Sequence, residues 1–438
     1  MKPSEATVEN LINCSRASRK LGEVMTERSF PNTAFALFMQ SKMFSENAER
    51  LATSSIPTLL ESGQSAAWAG IHHQKEGQLV LALLAWKDYE KRTLRLRAIA
   101  PLDPGYMMEA SYATTNLASL ERDLGLTSEA RATIHHSIAL KTTATGVVRN
   151  NDEWTYELIV STSILAGLME SQGKLHDADR IYSDLIEQLE KMHRKHQASR
   201  EWERQLTSLR QFGAMLSLDL GDIDGARAHI TDAALRLSRL AQADPDNTKW
   251  RRLQAQAHLF ASDIERIDGN QAASARQLAN AASAITHPML NFSAARRIRA
   301  SILLRSGLQD GGEAGEKRTQ NAINELQDLV AGDGNDRRAR LALAEALVLR
   351  AENGIHEGRT ASAERDARQA IDVLDASGTH PQSLTITALR LRAMAITGTL
   401  PEAARSIEYL ANAGYRHPEL TAALRRQPDH SPIHDASD

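Results

Sequence analysis

Cysteine is almost missing from this chain. Cys14 stands alone, which excludes an internal disulfide and any metal centre built from several thiolates. A lone cysteine of this kind suits a reducing compartment and is expected to be a small buried apolar residue. Charge of one sign is also lacking: 52 basic against 55 acidic residues leave a net charge of −3. No global field draws in a phosphate backbone or an anionic bilayer, so nucleic acid is not an expected partner.

Long apolar runs are absent too. The most apolar stretches, Leu79 to Trp86 and Leu158 to Met169, fall short of the roughly 20 residues that cross a bilayer, so no membrane insertion is expected. The opening MKPSEATVENLINCSRASRK lacks the apolar core and cleavage pattern of a secretory signal. The expected location is cytoplasmic, or periplasmic if the chain is natively fused behind a membrane anchor. Aromatic residues make up only 4%, while alanine, leucine, arginine, glutamate and glutamine dominate. These residues lose least on entering a helix.

What is present is a period. Gly77, Gly125, Gly173, Gly221 and Gly269 are spaced 48 apart. Five residues after each stands a small residue, Ala82, Ala130, Ala178, Ala226 and Ser274, and nine after stands a bulky one, Trp86, Ile134, Tyr182, Ile230 and Leu278. Trp154, Trp202 and Trp250 precede their glycines by 19 residues, with Tyr106 in the slot before them. Extended backward, the frame reaches Ser29, Ala34 and Phe38; extended forward, it reaches Lys317, Ala322 and Leu326. Shorter repeats around Gly358 and Gly398 keep the internal pattern, giving about nine helix pairs.

Each repeat reads as helix, turn, helix. Leu206, Leu209, Phe212, Leu216 and Leu220 follow the three-and-four spacing of one helical stripe. The glycine ends the first helix in the left-handed conformation, and acids such as Asp222 start the second. The small residue allows close approach and the bulky one fills the groove. The tryptophans are expected to anchor the packing of neighbouring repeats.

Leu165, Ala166, Met169, Gly173, Ala178, Tyr182 and Leu185 match a known pattern of large, small, large, glycine, alanine, aromatic and large residues. On these positions the chain resembles the tetratricopeptide repeat family. Leu117, Ala118, Gly125, Ala130 and Ile134 fit less fully, with Glu121 where a bulky residue is usual. The 48-residue period, the DPDN turn before Trp250 and the ending Gly414 to Leu420 are similar to long arrays of that family in bacterial signalling proteins, among them kinases and transcriptional regulators. The fold implied is all-α, a right-handed superhelical solenoid of antiparallel helix pairs. Residues 1–296 form the long-period array, 297–426 shorter divergent repeats, and 427–438 a disordered tail.

Chemistry of other kinds finds little footing. The histidine pairs His72 with His73, His135 with His136 and His193 with His196 lie in no glutamate-containing zinc motif. They read as solvated helix residues, and no metal is expected. Gly307, Gly311, Gly312 and Gly315 before Lys317 lack the Gly-Lys-Ser/Thr ending of a phosphate loop and read as a flexible connection. The arginine clusters at 296, 297 and 299 and at 337, 338 and 340 read as solvated faces with acidic neighbours. No catalytic set is recoverable, and no cofactor is expected.

The resemblance implies binding on the concave face, through first-helix positions 13, 10, 6 and 3 residues before each glycine. In this chain they include Tyr112, Arg122, Gln211, Gln256 and Arg266, with Arg16 and Arg19 at the N-terminal end. The partner expected is a protein or peptide; no oligomeric state is assigned. Two functions follow: a scaffold, adaptor or sensor arm of bacterial signalling, or a regulator that closes on a small molecule or short peptide.

Overall fold

The computed structural model describes residues 5–28, 30–195, 199–334, 336–376 and 383–426; the tail expected at 427–438 and Ser29 lie outside them. Among the described residues there are 19 α-helices and no strand. In chain order the two-helix repeats are α1 (Glu5–Glu27) and α2 (Pro31–Leu51), α3 (Ile56–Lys75) and α4 (Leu79–Ile99), α5 (Pro104–Asp123) and α6 (Thr127–Val147), α7 (Asp152–Ser171) and α8 (Leu175–Lys195), α9 (Arg200–Asp219) and α10 (Ile223–Ala243), α11 (Thr248–Ile267) and α12 (Gln271–Ala284). They continue with α13 (Ser293–Asp310) and α14 (Gly312–Gly332), α15 (Arg337–His356) and α16 (Thr360–Asp375), α17 (Leu384–Thr397) and α18 (Ala404–Asn412), after which comes α19 (Pro418–Arg425). The expected all-α solenoid of helix pairs is therefore the fold.

The repeat markers act as their chemistry requires. The five period glycines take φ between 77° and 85°, the left-handed conformation that L side chains resist. All five small positions are fully buried and all five bulky ones are 3% exposed or less. The Trp86 ring lies so close to α3 that a Cβ on Gly70 would sit 2.9 Å from it; a small residue on the first helix receives the large one of the second. Trp202 and Trp250 are buried as anchors.

Three expectations need correction. Lys317 falls inside α14, because the turn lies six residues earlier, at Gly311 and Gly312, both with positive φ. The glycine cluster is no flexible connection: a Cβ on Gly315 would run into the Gly307 carbonyl, so these glycines let α13 and α14 cross at backbone contact. Cys14 is exposed rather than buried, on the outward side of α1.

The chain divides into two compact units. Unit 1 comprises Met1–Leu165 with the short segments Pro245–Lys249 and His287–Ala294; unit 2 comprises Ala166–Asp244, Trp250–Thr286 and Ala295–Asp438. Unit 1 is tied internally by buried hydroxyls. Ser15, Ser41 and Ser65, from α1, α2 and α3, lie 2.8 to 3.1 Å from one another, and Ser15 also donates to Glu61 at 3.0 Å. The arrangement returns in α5, α6 and α7, where Thr115 meets Ser137 at 2.7 Å and Ser161 at 2.9 Å. Small hydroxyls let three helices approach closely while satisfying one another.

Candidate functional site

The most ordered polar construction of unit 2 runs along its first helices. In the last four of these helices, six residues before the left-handed glycine that follows each, stand Asp263 in α11, Arg305 in α13, Glu352 in α15 and Arg392 in α17. Signs alternate down this row, and the gaps are bridged. Arg305 donates to Asp263 at 2.7 Å and to Glu345 of α15 at 2.6 Å; Arg392 donates to Glu352 at 3.0 and 2.6 Å. Arg305 and Arg392 are buried, and their carboxylate partners outweigh the burial penalty, raising both guanidiniums above their ordinary range.

The C-terminal segment of the chain lies on this row. Glu419, at the start of α19, sits 2.6 Å from Arg266 and 2.7 Å from Arg392. Burial opposes its charge, but Arg392 and Arg266, with His417 adding, hold the carboxyl well below the usual range. The Arg416 amide donates to the Asp219 carbonyl at 2.7 Å, and a Cβ on Gly221 would meet the Arg416 carbonyl at 3.2 Å. Tyr415 bonds the Asp219 carboxyl, which burial pushes up to about 7, and stacks on His417. Burial drives His417 down to about 4, so it is neutral at pH 7 and its Nδ1 accepts the Glu419 amide at the start of α19. An extended stretch followed by a short helix is thus held by a main-chain bond, an aromatic pair and one carboxylate between two arginines.

The seven positions named from sequence fall in both units. In unit 2, Arg266 is built into the network just described, paired with Asp263 at 3.5 Å as well as with Glu419; Gln256 is exposed and Gln211 half-buried. In unit 1, Arg16 and Arg19 converge on Glu61, at 3.7 and 3.3 Å, and Arg19 is itself buried. Tyr112 lies under the ammonium of Lys141, 5.3 Å from the ring centre. Arg122 pairs with its neighbour Asp123 at 3.5 Å.

Sequence reading did not single out Lys141, Arg305 or Arg392. Lys141 is fully buried in α6 and donates to Thr115, Ser161 and the carbonyl and carboxylate of Glu157. Burial pulls it down to about 8 against the opposing charge of Glu157. The signal for Arg305 and Arg392 was the slot six before the glycine, applied to the true turn at Gly311.

Other candidates resolve into structure. His72 is not solvated: it is buried against Phe35 and Phe38, and burial lowers it to about 4. His193 contacts Glu203 at 2.9 Å. Among the described residues, no group of three or more His, Cys, Asp or Glu is arranged to hold a metal ion. The glycines at 311 and 312 border an open cleft of about 560 Å³ in which Arg350 is bonded to Asp366 and Arg359 to Glu316 and Glu357. No described helix is long and apolar enough to cross a membrane.

No protein-family model matches the sequence, and no curated protein sequence matches it. Solved structures do share its fold. A Rap protein complexed with competence and sporulation factor aligns over 86% of this chain and 99% of its own, at 12% identity and a TM-score of 0.56. The Rap conjugation gene regulator of plasmid pLS20, in complex with the Phr* peptide, aligns over 85% and 96%, at 11% identity and a TM-score of 0.56. At such identities the likeness is one of fold, a helical-repeat solenoid.

Proposed function

We propose that this chain is a peptide-responsive regulator or adaptor of bacterial signalling, acting in the cytoplasm by holding a peptide or protein segment, without a catalytic step of its own. The observation that carries the reading is that the first-helix face of unit 2 already holds a peptide-like stretch, residues 415–419 of the same chain. Main-chain pairing to Asp219 gives sequence-independent grip, and the Arg266 and Arg392 pair selects an acid. Two proteins sharing the fold were solved with a Phr* peptide and with competence and sporulation factor, which supports a peptide as the ligand class. A protein-binding scaffold is the second reading, favoured by the exposed Val80, Leu81 and Leu84 of α4.

The test uses a fluorescent peptide with the sequence of residues 413–426. Full-length protein carrying Glu419→Ala, which loosens its own segment, should bind the peptide in trans more tightly than the unaltered chain. Adding Arg266→Glu and Arg392→Glu should abolish that binding. If the loosened protein takes up no peptide, this face is a closed structural joint and the regulator reading falls.

A further inference from the structure

The stretch that lies on the first-helix face of unit 2 is gripped at some residues and left alone at others. Tyr415 and Leu420 are 6% and 4% exposed. Between them Glu419 reaches Arg266 at 2.6 Å and Arg392 at 2.7 Å, while the Tyr415 hydroxyl bonds the Asp219 carboxyl. Arg416 is held by its main chain, the amide donating to the Asp219 carbonyl at 2.7 Å, and the residue itself is exposed. The path between these anchors is bent. Gly414 takes a left-handed φ of 73°, and Pro418 opens α19 with the fixed φ that suits a first helical turn. The chain thus passes from extended to helical between Tyr415 and Leu420, which sets a phenol, a carboxylate and a branched apolar chain against the same unit.

No chain terminus takes part in this grip. The stretch is preceded by α18 and followed by the rest of α19, and the carboxylate between the two arginines is a side chain. An amino or carboxyl end placed inside it would put a charge where the structure offers a main-chain bond. The pattern is also scarce in the chain itself. Of its seven tyrosines, Tyr415 alone has an acid four residues on, so whatever replaces this stretch comes from another molecule.

Resting on the reading that this face exchanges its segment, we propose that its partner is an internal segment of a protein that reads Tyr-x-x-x-Glu-Leu and turns from extended to helical as it docks. Asp219 selects the tyrosine: phenylalanine has nearly the same volume but leaves that carboxyl without its phenol, and a site built around a hydroxyl rejects the analogue that lacks one. Two guanidiniums select the glutamate, because an amide in its place gives up both charge-assisted bonds. The leucine is buried where α19 packs on α17. The position after the tyrosine, exposed here as Arg416, carries no such demand.

The experiment uses the full-length Glu419→Ala chain with the fluorescent 413–426 peptide as tracer, displaced by unlabelled competitors. The peptide with acetylated and amidated ends, the same residues set inside a Gly/Ser linker of a carrier protein, and the peptide carrying Arg416→Ala should each compete within about twofold of the parent. Peptides carrying Tyr415→Phe or Glu419→Gln should compete roughly tenfold or more weakly. In the chain that also carries Asp219→Ala, the tyrosine and phenylalanine peptides should compete equally, a coupling that a general loss of fit does not produce. Tracer uptake with phenylalanine or glutamine competitors as strong as the parent overturns the pattern and leaves the face a peptide site. Uptake with failure of the blocked or embedded segment overturns the internal segment in the same way. A chain that takes up no tracer removes the peptide reading itself, and this inference with it.

Discussion

The same slot, six residues before the turn glycine, holds Ile71 and Ser119 in unit 1 and Gly167 and Met215 at the start of unit 2, but Asp263, Arg305, Glu352 and Arg392 in the later repeats of unit 2. Unit 1 joins its helices with small buried hydroxyls, one buried lysine and the separate ion pairs Arg19–Glu61 and Arg92–Glu49, and it leaves Val80, Leu81 and Leu84 exposed on α4. From α11 onward unit 2 fills this slot with alternating charge and lays its own C-terminal segment on it. One repeat frame thus carries two kinds of inter-helix bond. The frame needs only its glycine, small and bulky positions for stacking, which leaves the slot six before the glycine free to be uncharged in the earlier repeats and ionic in the later ones.

The comparison breaks in unit 2 at Arg305. Arg305→Met leaves the half-buried Asp263 with Arg266 alone, and urea unfolding should report a loss of about 2–3 kcal/mol; a loss below about 1 kcal/mol would mean that water screens the row. In unit 1 the counterpart is Lys141. Its folded value, about 8, lies below the 10.5 of a free lysine, so between those values the unfolded chain binds the extra proton. Stability contributed at this site therefore rises as pH climbs from 8 to 10.5. Relative to Lys141→Met, the parent should gain on the order of 3 kcal/mol across that window, and parallel pH profiles would contradict the assignment. Ser41→Ala removes one hydroxyl from the cluster of Ser15 and Ser65 and should cost about 1 kcal/mol, measured by the same titration. Smallest of all, Leu84→Lys on the exposed side of α4 should stay within about 0.5 kcal/mol. A larger loss there would show that this surface is covered in the folded protein.

The sequence disclosed what is local. A glycine at a helix end, a small residue five residues on and a ring or branched chain four further obey rules that act within one repeat; the glycines came out left-handed and the small and bulky positions buried, as expected. The frame failed at Lys317 because Gly307 and Gly315 allow a backbone crossing that moved the turn to Gly311 and Gly312. The charged row depends on which faces of helices some 40 residues apart meet, as in Arg305 with Glu345 and Arg392 with Glu352. Arg266 was named for the groove from its offset, but its partner Glu419 stands 153 residues away, beyond any pattern of spacing. His72 misled for the opposite reason: a histidine beside a second histidine looks solvated until Phe35 and Phe38 of another helix cover it.

The claim that the first-helix face of unit 2 holds an exchangeable segment is tested most directly by hydrogen exchange at the Arg416 amide, which donates to the Asp219 carbonyl. The account predicts strong protection in the free full-length protein, lost when the 413–426 peptide is added in excess and displaces the chain's own copy. Protection that persists unchanged at saturating peptide would contradict it.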